Sequence, residues 1–243
     1  MWSIYKKELN AFFSSVIGYI FIVVFLLITG FFVWINPDSN VLEYGFASLD
    51  VLFSVTPWVF LILIPAITMR SFAEEISAGT IEILATKPIK DVSIILGKYF
   101  AAMTLVLFSI VPTFIYFYTV YELGSPKGNL DSGAIWGSYL GVLFLASAFV
   151  AVGLFASSIT KNQIVSFVLA VSLCFVMHYA FDMVSNLDVF YGRFDAFVQQ
   201  LGMSAHFISI GRGVIDTRDL TYFLSVTAIF IFFTHTSLES RKW

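Results

Sequence analysis

The sequence holds few side chains able to do chemistry, and they are widely spaced. Its three histidines, His178, His206 and His235, are isolated from one another, with no His-x-x-x-His pair and no acid-dense motif nearby. Catalysis would need a nucleophile with its base, paired acids or a metal cluster, so none is expected, and no metal ligand set is assigned. The one cysteine, Cys174, lies inside an apolar run, which excludes an intramolecular disulfide and a Cys-based metal site and reads as a packing residue. There is no Gly-x-x-x-x-Gly-Lys-Ser/Thr loop to cradle ATP phosphates, so no nucleotide or other cofactor is expected to bind directly. His178 and Asp182, four apart at the end of an apolar run, have the spacing to pair, although two polar residues reaching the headgroups is the plainer reading.

The chemistry that remains is charged docking, and it concentrates in residues 70–88. Phe72 and Ile76, four apart, give a short apolar face on a first helix, and Arg70 and Glu74 have the spacing for an ion pair across one turn. Gly79 is placed to end that helix, Thr80 to cap a second, Glu82 to sit in the second helix's first turn, and Pro88 to close the unit. A short amphipathic helix carrying both charge signs can fill a groove on a partner and fix its register, with Glu75 as one charged contact. A solvated loop whose charges only set topology is the competing reading.

These residues must be positioned by elements written for lipid. Of 243 residues 59% are hydrophobic and 12% charged, about half the charge of a soluble domain. Apolar runs long enough to span a bilayer lie at about 16–35, 51–69, 99–121, 135–157, 164–184 and 220–236, and the first four contain no Asp, Glu, Lys, Arg or His. Pro57, Pro65 and Pro112 fall inside spans and are expected to kink them. Segments 1–15, 70–98, 158–163 and 237–243 carry nine Lys and Arg, against four in the alternate segments 36–50, 122–134 and 185–219. Positive charge marks the cytoplasmic side, so both termini and the 70–98 loop are expected inside.

The first run is too long for a signal-peptide core and is read as a retained helix. Ahead of it, Trp2, Tyr5, Leu9 and Phe12 share one helical face, which suits a helix lying in the interface, or simply a positive flank. Gly137-x-x-x-Gly141, with Ser147, Ala148, Ala151 and Gly153, gives the fourth span a small-residue face, more suited to packing within the chain than to dimerisation. Segment 185–219 mixes Phe190, Phe194, Phe197, Phe207 and Ile210 with Asp and Arg. It is expected to form short helices dipping back into the outer leaflet, or else a loop folded on the surface. The fold class is all-α: a single transmembrane domain over 1–243 with six spans, an N-terminal interfacial helix, a cytoplasmic coupling helix in 70–98 and a re-entrant segment in 185–219.

The pattern Arg70-x-Phe72-x-Glu74-Glu75-x-x-x-Gly79-Thr80-x-Glu82-x-Leu84-x-x-x-Pro88 resembles the signature of ABC-2 type permeases, and Gly97-Lys98 is similar to that family as well. Residues 209–224, with Arg212, Gly213, Asp216, Arg218, Asp219 and Tyr222, resemble the segment before the last helix in the subgroup that includes gliding-motility permeases. The resemblance implies a transporter subunit, not an enzyme, in a bacterial inner membrane. ATP and Mg would be used by a separate ABC ATPase present in two copies, working with a second permease subunit, identical or not. It also implies that Arg70, Phe72, Glu74, Glu75, Gly79, Thr80, Glu82, Leu84 and Pro88 form the ATPase-coupling element, and that a pair of short re-entrant helices precedes the sixth span; from the pattern of 185–219, Phe194, Phe207, Arg212 and Asp216 are the candidate outer-gate residues. A related exporter of lipid, polysaccharide or small hydrophobic compounds fits the same features. An ion-coupled carrier and a membrane-embedded enzyme are the remoter readings, and no nucleic-acid partner is expected.

Overall fold

In hydrocarbon every backbone N–H and C=O must be satisfied within its own segment, and long uncharged runs therefore become helix. The computed structural model describes residues 1–43, 45–80, 90–187 and 195–240. Among these, all regular structure is helical: α1 (Trp2–Ser14), α2 (Val16–Trp34), α3 (Asp50–Thr68), α4 (Ala73–Ser77), α5 (Asp91–Ile110), α6 (Phe114–Leu123), α7 (Ser132–Ile159), α8 (Gln163–Phe175), α9 (Phe181–Ser185), α10 (Asp195–Gln200), α11 (Met203–Gly211) and α12 (Thr217–Glu239). Six stretches are long and apolar enough to cross a bilayer: Val16–Trp34, Asp50–Ser77, Asp91–Leu123, Ser132–Ile159, Gln163–Ser185 and Thr217–Glu239. The six expected spans are all present.

α7 is the hub, the most deeply buried of the six, packed against α3, α5, α8, α11 and α12. Its small residues permit this. A Cβ on Gly153 would overlap the Thr68 hydroxyl of α3, and one on Gly137 would lie 2.5 Å from the Ile210 carbonyl of α11. The small-residue face is thus filled from within the chain. α2, α8 and α12 sit at the periphery and expose Val16, Leu27, Ile164, Val168 and Phe232, as lipid-facing helices should.

Pro57 and Pro65 lie within a continuous α3, whereas Pro112 falls in a 3₁₀ turn, Val111–Thr113, that divides the third span into α5 and α6. α5 begins at Asp91, eight residues before the apolar run, so Lys98 is helical and buried. The N-terminal helix forms as expected, with a different inner face: Trp2 is exposed and stacks on Tyr5, while Ile4, Tyr5, Glu8 and Phe12 turn toward the bundle. Two short helices, α10 and α11, precede the last span, and α11 lies along α7.

Candidate functional site: a buried charge cluster behind a short helix

α4 has five residues, too few to hold itself together, and it has no side-chain cap of its own. The missing cap comes from α7. Ser157 Oγ accepts the backbone N–H groups of Phe72 at 2.8 Å and Ala73 at 3.0 Å, and donates to the Met69 carbonyl at 3.0 Å. One hydroxyl therefore satisfies two orphan donors at the start of α4 and a carbonyl at the end of α3. Phe72, Ala73 and Ile76 are buried beneath the helix, while Glu74, Ser77, Ala78 and Thr80 form its exposed edge. Gly79 ends it at φ +68°, a left-handed conformation that glycine adopts without strain.

Below α4 lies Lys98, two turns into α5 and only 3% exposed. Its ammonium has three protons and three acceptors: the Ser71 carbonyl at 2.7 Å, Glu8 Oε1 at 2.9 Å and Glu75 Oε1 at 3.0 Å. It also sits 5.1 Å from the centre of the Phe72 ring, a cation–π contact. Lys7 reaches Glu75 at 3.2 Å and Glu8 at 3.5 Å, so two cations and two carboxylates close a neutral cluster. Burial by itself would lower the Lys7 pKa, but Glu75 and Glu8 outweigh it and leave the ammonium raised above its usual value. Glu75 is inward-facing, its side chain 13% exposed, and its Oε2 is buried without a hydrogen-bond partner among the described residues. A cleft of about 500 Å³ opens beside the cluster between α1 and α4, lined by Phe12, Arg70, Glu74 and Thr80 among others.

The expected coupling residues therefore divide. Phe72 is an internal anchor, Glu75 faces Lys98 and not outward, and Glu74 is the exposed acid. Among the described residues Arg70 and Glu74 form no ion pair; only the Glu74 backbone N–H meets the Arg70 carbonyl, at 3.3 Å. Thr80 Oγ donates to the Glu75 carbonyl at 3.3 Å, closing the turn behind α4. Glu82, Leu84 and Pro88, with the second helix expected there, lie outside the described residues.

At the far end of α12 the expected outer-gate residues are also divided. Arg212 and Asp216 are exposed and line a polar cleft of about 650 Å³ with His206 and Asp219, and Asp216 caps α12 by accepting the Arg218 N–H at 2.9 Å. Phe207 points elsewhere, buried against Gly141 and His178, and Phe194 lies outside the described residues. His178 and Asp182 do not pair: His178 is buried in one turn of π-helix against Phe149, and Asp182 accepts from Gln199 at 3.1 Å. At the α4 end, Asp91, His235 and Glu239 bring ligand atoms within 4.8 Å of one another, an open surface group with His235 3.7 Å from Glu239.

Glu8, Lys7 and Ser157 were not anticipated as site residues. The legible signal for Glu8 was a charge on the apolar stripe of α1, one turn after Ile4 and one before Phe12. Ser157 gave none.

Residues 34–203 match the ABC-2 family transporter protein, which is more than half of the chain. The chain belongs to the ABC-2 transporter family. It is a multi-pass membrane subunit of a transporter and not itself catalytic, and members of this family generally work in the bilayer with an ABC ATPase. The matched region contains α4, Lys98 and Ser157, whereas α1, with Lys7 and Glu8, lies ahead of it. The chain has no match among curated proteins.

Proposed function

We propose that this chain is the permease half of an ATP-driven exporter, and that α4 passes the motion of a separate ATPase to the spans. The observation that carries the reading is the fastening of α4. A helix of five residues presents an exposed edge at Glu74, Ser77 and Ala78, yet its inner side is bound to α7 through Ser157 and to α1 and α5 through the Lys98 cluster. A force applied to that edge reaches three helices without being lost in a loose loop. Arg70, Glu74 and Thr80 would face the motor, and Glu82, Leu84 and Pro88 would extend the surface. The split of Lys and Arg supports an inner-membrane orientation with α4 and both termini in the cytoplasm. α10 and α11 would then stand on the outer side as the re-entrant pair at the exit, with Phe207 holding α11 against α7.

Two permease subunits with two ATPase copies complete the assembly in this reading. Residues 209–224 favour the gliding-motility subgroup, by resemblance alone. Affinity purification of the tagged chain in mild detergent should bring down an ABC ATPase and a permease subunit. Recovery of the chain with neither, from intact membranes, contradicts the proposal.

A further inference from the structure

Between α11 and α12, at the end of the bundle opposite α4, His206 is held by both ring nitrogens. Nδ1 is 2.7 Å from Asp219 Oδ1, and Nε2 is 2.9 Å from the Gln200 carbonyl. A peptide carbonyl and a carboxylate oxygen are both acceptors, and a neutral imidazole has one N–H to give. Satisfying both contacts therefore takes one proton more than neutral His206 and ionised Asp219 contain. That proton sits on the ring, making an imidazolium, or on Asp219, which then donates to Nδ1; the pair holds it in either case. Tyr222 stacks on the ring with centroids 3.9 Å apart, its hydroxyl donating to the Leu201 carbonyl at 2.6 Å, and Asp219 is 5% exposed with Oδ2 unpartnered among the described residues.

We propose that His206 and Asp219 form a proton-binding site that latches α11 to α12, closed when the extra proton is bound and released when it leaves. Removal of the proton leaves one of the two short contacts with a lone pair facing a lone pair, so the ring must turn or α11 must shift. By linkage, the state that binds the proton gains stability as pH falls and loses it as pH rises. The other charged groups on the same cleft are Arg212, just beyond α11, and Asp216 and Arg218 at the start of α12; from α10 the cleft receives the uncharged Gln199 and Gln200. None of these supplies a donor to the Nδ1–Asp219 contact that could replace the proton.

Hydrogen–deuterium exchange of the full chain in lipid nanodiscs reads the latch directly. After correction for base catalysis of exchange itself, amides of Met203–Gly211 should be about tenfold better protected near pH 6 than near pH 8.5. Asp219→Asn supplies an amide N–H to Nδ1 and frees Nε2–H for Gln200, so it should hold the latch closed without the extra proton and give a flat, protected profile. A flat wild-type profile overturns the proposal, as does an Asp219→Asn variant that keeps the wild-type pH dependence. The wild-type arm stands without any substitution that could disturb folding.

Discussion

A lysine buried where little water reaches it is tolerable only if every ammonium proton finds an acceptor, and Lys98 meets that condition with the Ser71 carbonyl and two carboxylates. The cluster does more for placement than for stability, since a buried ion pair often roughly breaks even against an apolar replacement. Removing a single partner is another matter. Lys98→Met should leave Glu8 and Glu75 facing each other with only the exposed Lys7 between them and destabilise the fold by about 3–5 kcal/mol. Glu8→Gln keeps an acceptor and should cost less, about 1–2 kcal/mol. Thermal unfolding of detergent-solubilised variants, followed by the loss of monodisperse protein, gives the order. Equal stability for Lys98→Met and wild type would show that the cluster is not closed in the folded protein.

The helices owe their paths to small residues as much as to hydropathy. α11 reaches α7 only because Gly137 has no side chain, with a Cβ there 2.5 Å from the Ile210 carbonyl, whereas at Gly141 the nearest atom is 3.3 Å away on the Phe207 ring, which can yield. Gly137→Leu should therefore displace α11 and cost about 1–3 kcal/mol or more, with Gly141→Ala close to neutral. Protection of Met203–Gly211 against amide exchange separates the two, and equal protection in both variants would contradict the packing described. The spans themselves were legible because a bilayer allows few solutions for a long uncharged run. Their ends were less so: the third starts at Asp91 because burial of Lys98 lets the helix continue below the apolar stretch, and it breaks at Pro112 into a 3₁₀ turn. Gly79 could be placed at the end of α4 from residue type alone, and its φ of +68° is the reason. The partners of Ser157 and Glu8 could not, because they lie 85 and 90 positions away and only the folded bundle brings them together, although the charge of Glu8 on an apolar stripe was itself legible.

Across the whole molecule, α12 joins two different devices. Its 23 residues span about 34 Å, from the His206–Asp219 pair at one end to His235 and Glu239 beside the start of α5 at the other. α7 lies between them, touching α3, α5, α11 and α12, so a displacement imposed on α4 meets the hub at Ser157. Moving a transporter from mostly one state to mostly the other takes roughly 5.5 kcal/mol of differential binding, which a loosely tethered loop would dissipate. The fastening of α4 is what should distinguish a driven permease from a passive one. The decisive quantity is ATP turnover by the complex of this chain with its copurified ATPase, reconstituted in nanodiscs. Ser157→Ala removes the α7 link and Glu75→Gln weakens the α5 link, and neither alters the exposed edge of α4. Both variants should retain the ATPase on purification yet lose most of the permease-dependent turnover, about tenfold if roughly 1.4 kcal/mol of coupling is lost. Full turnover in both, with the ATPase still bound, would contradict the role of α4 as the transmitting element.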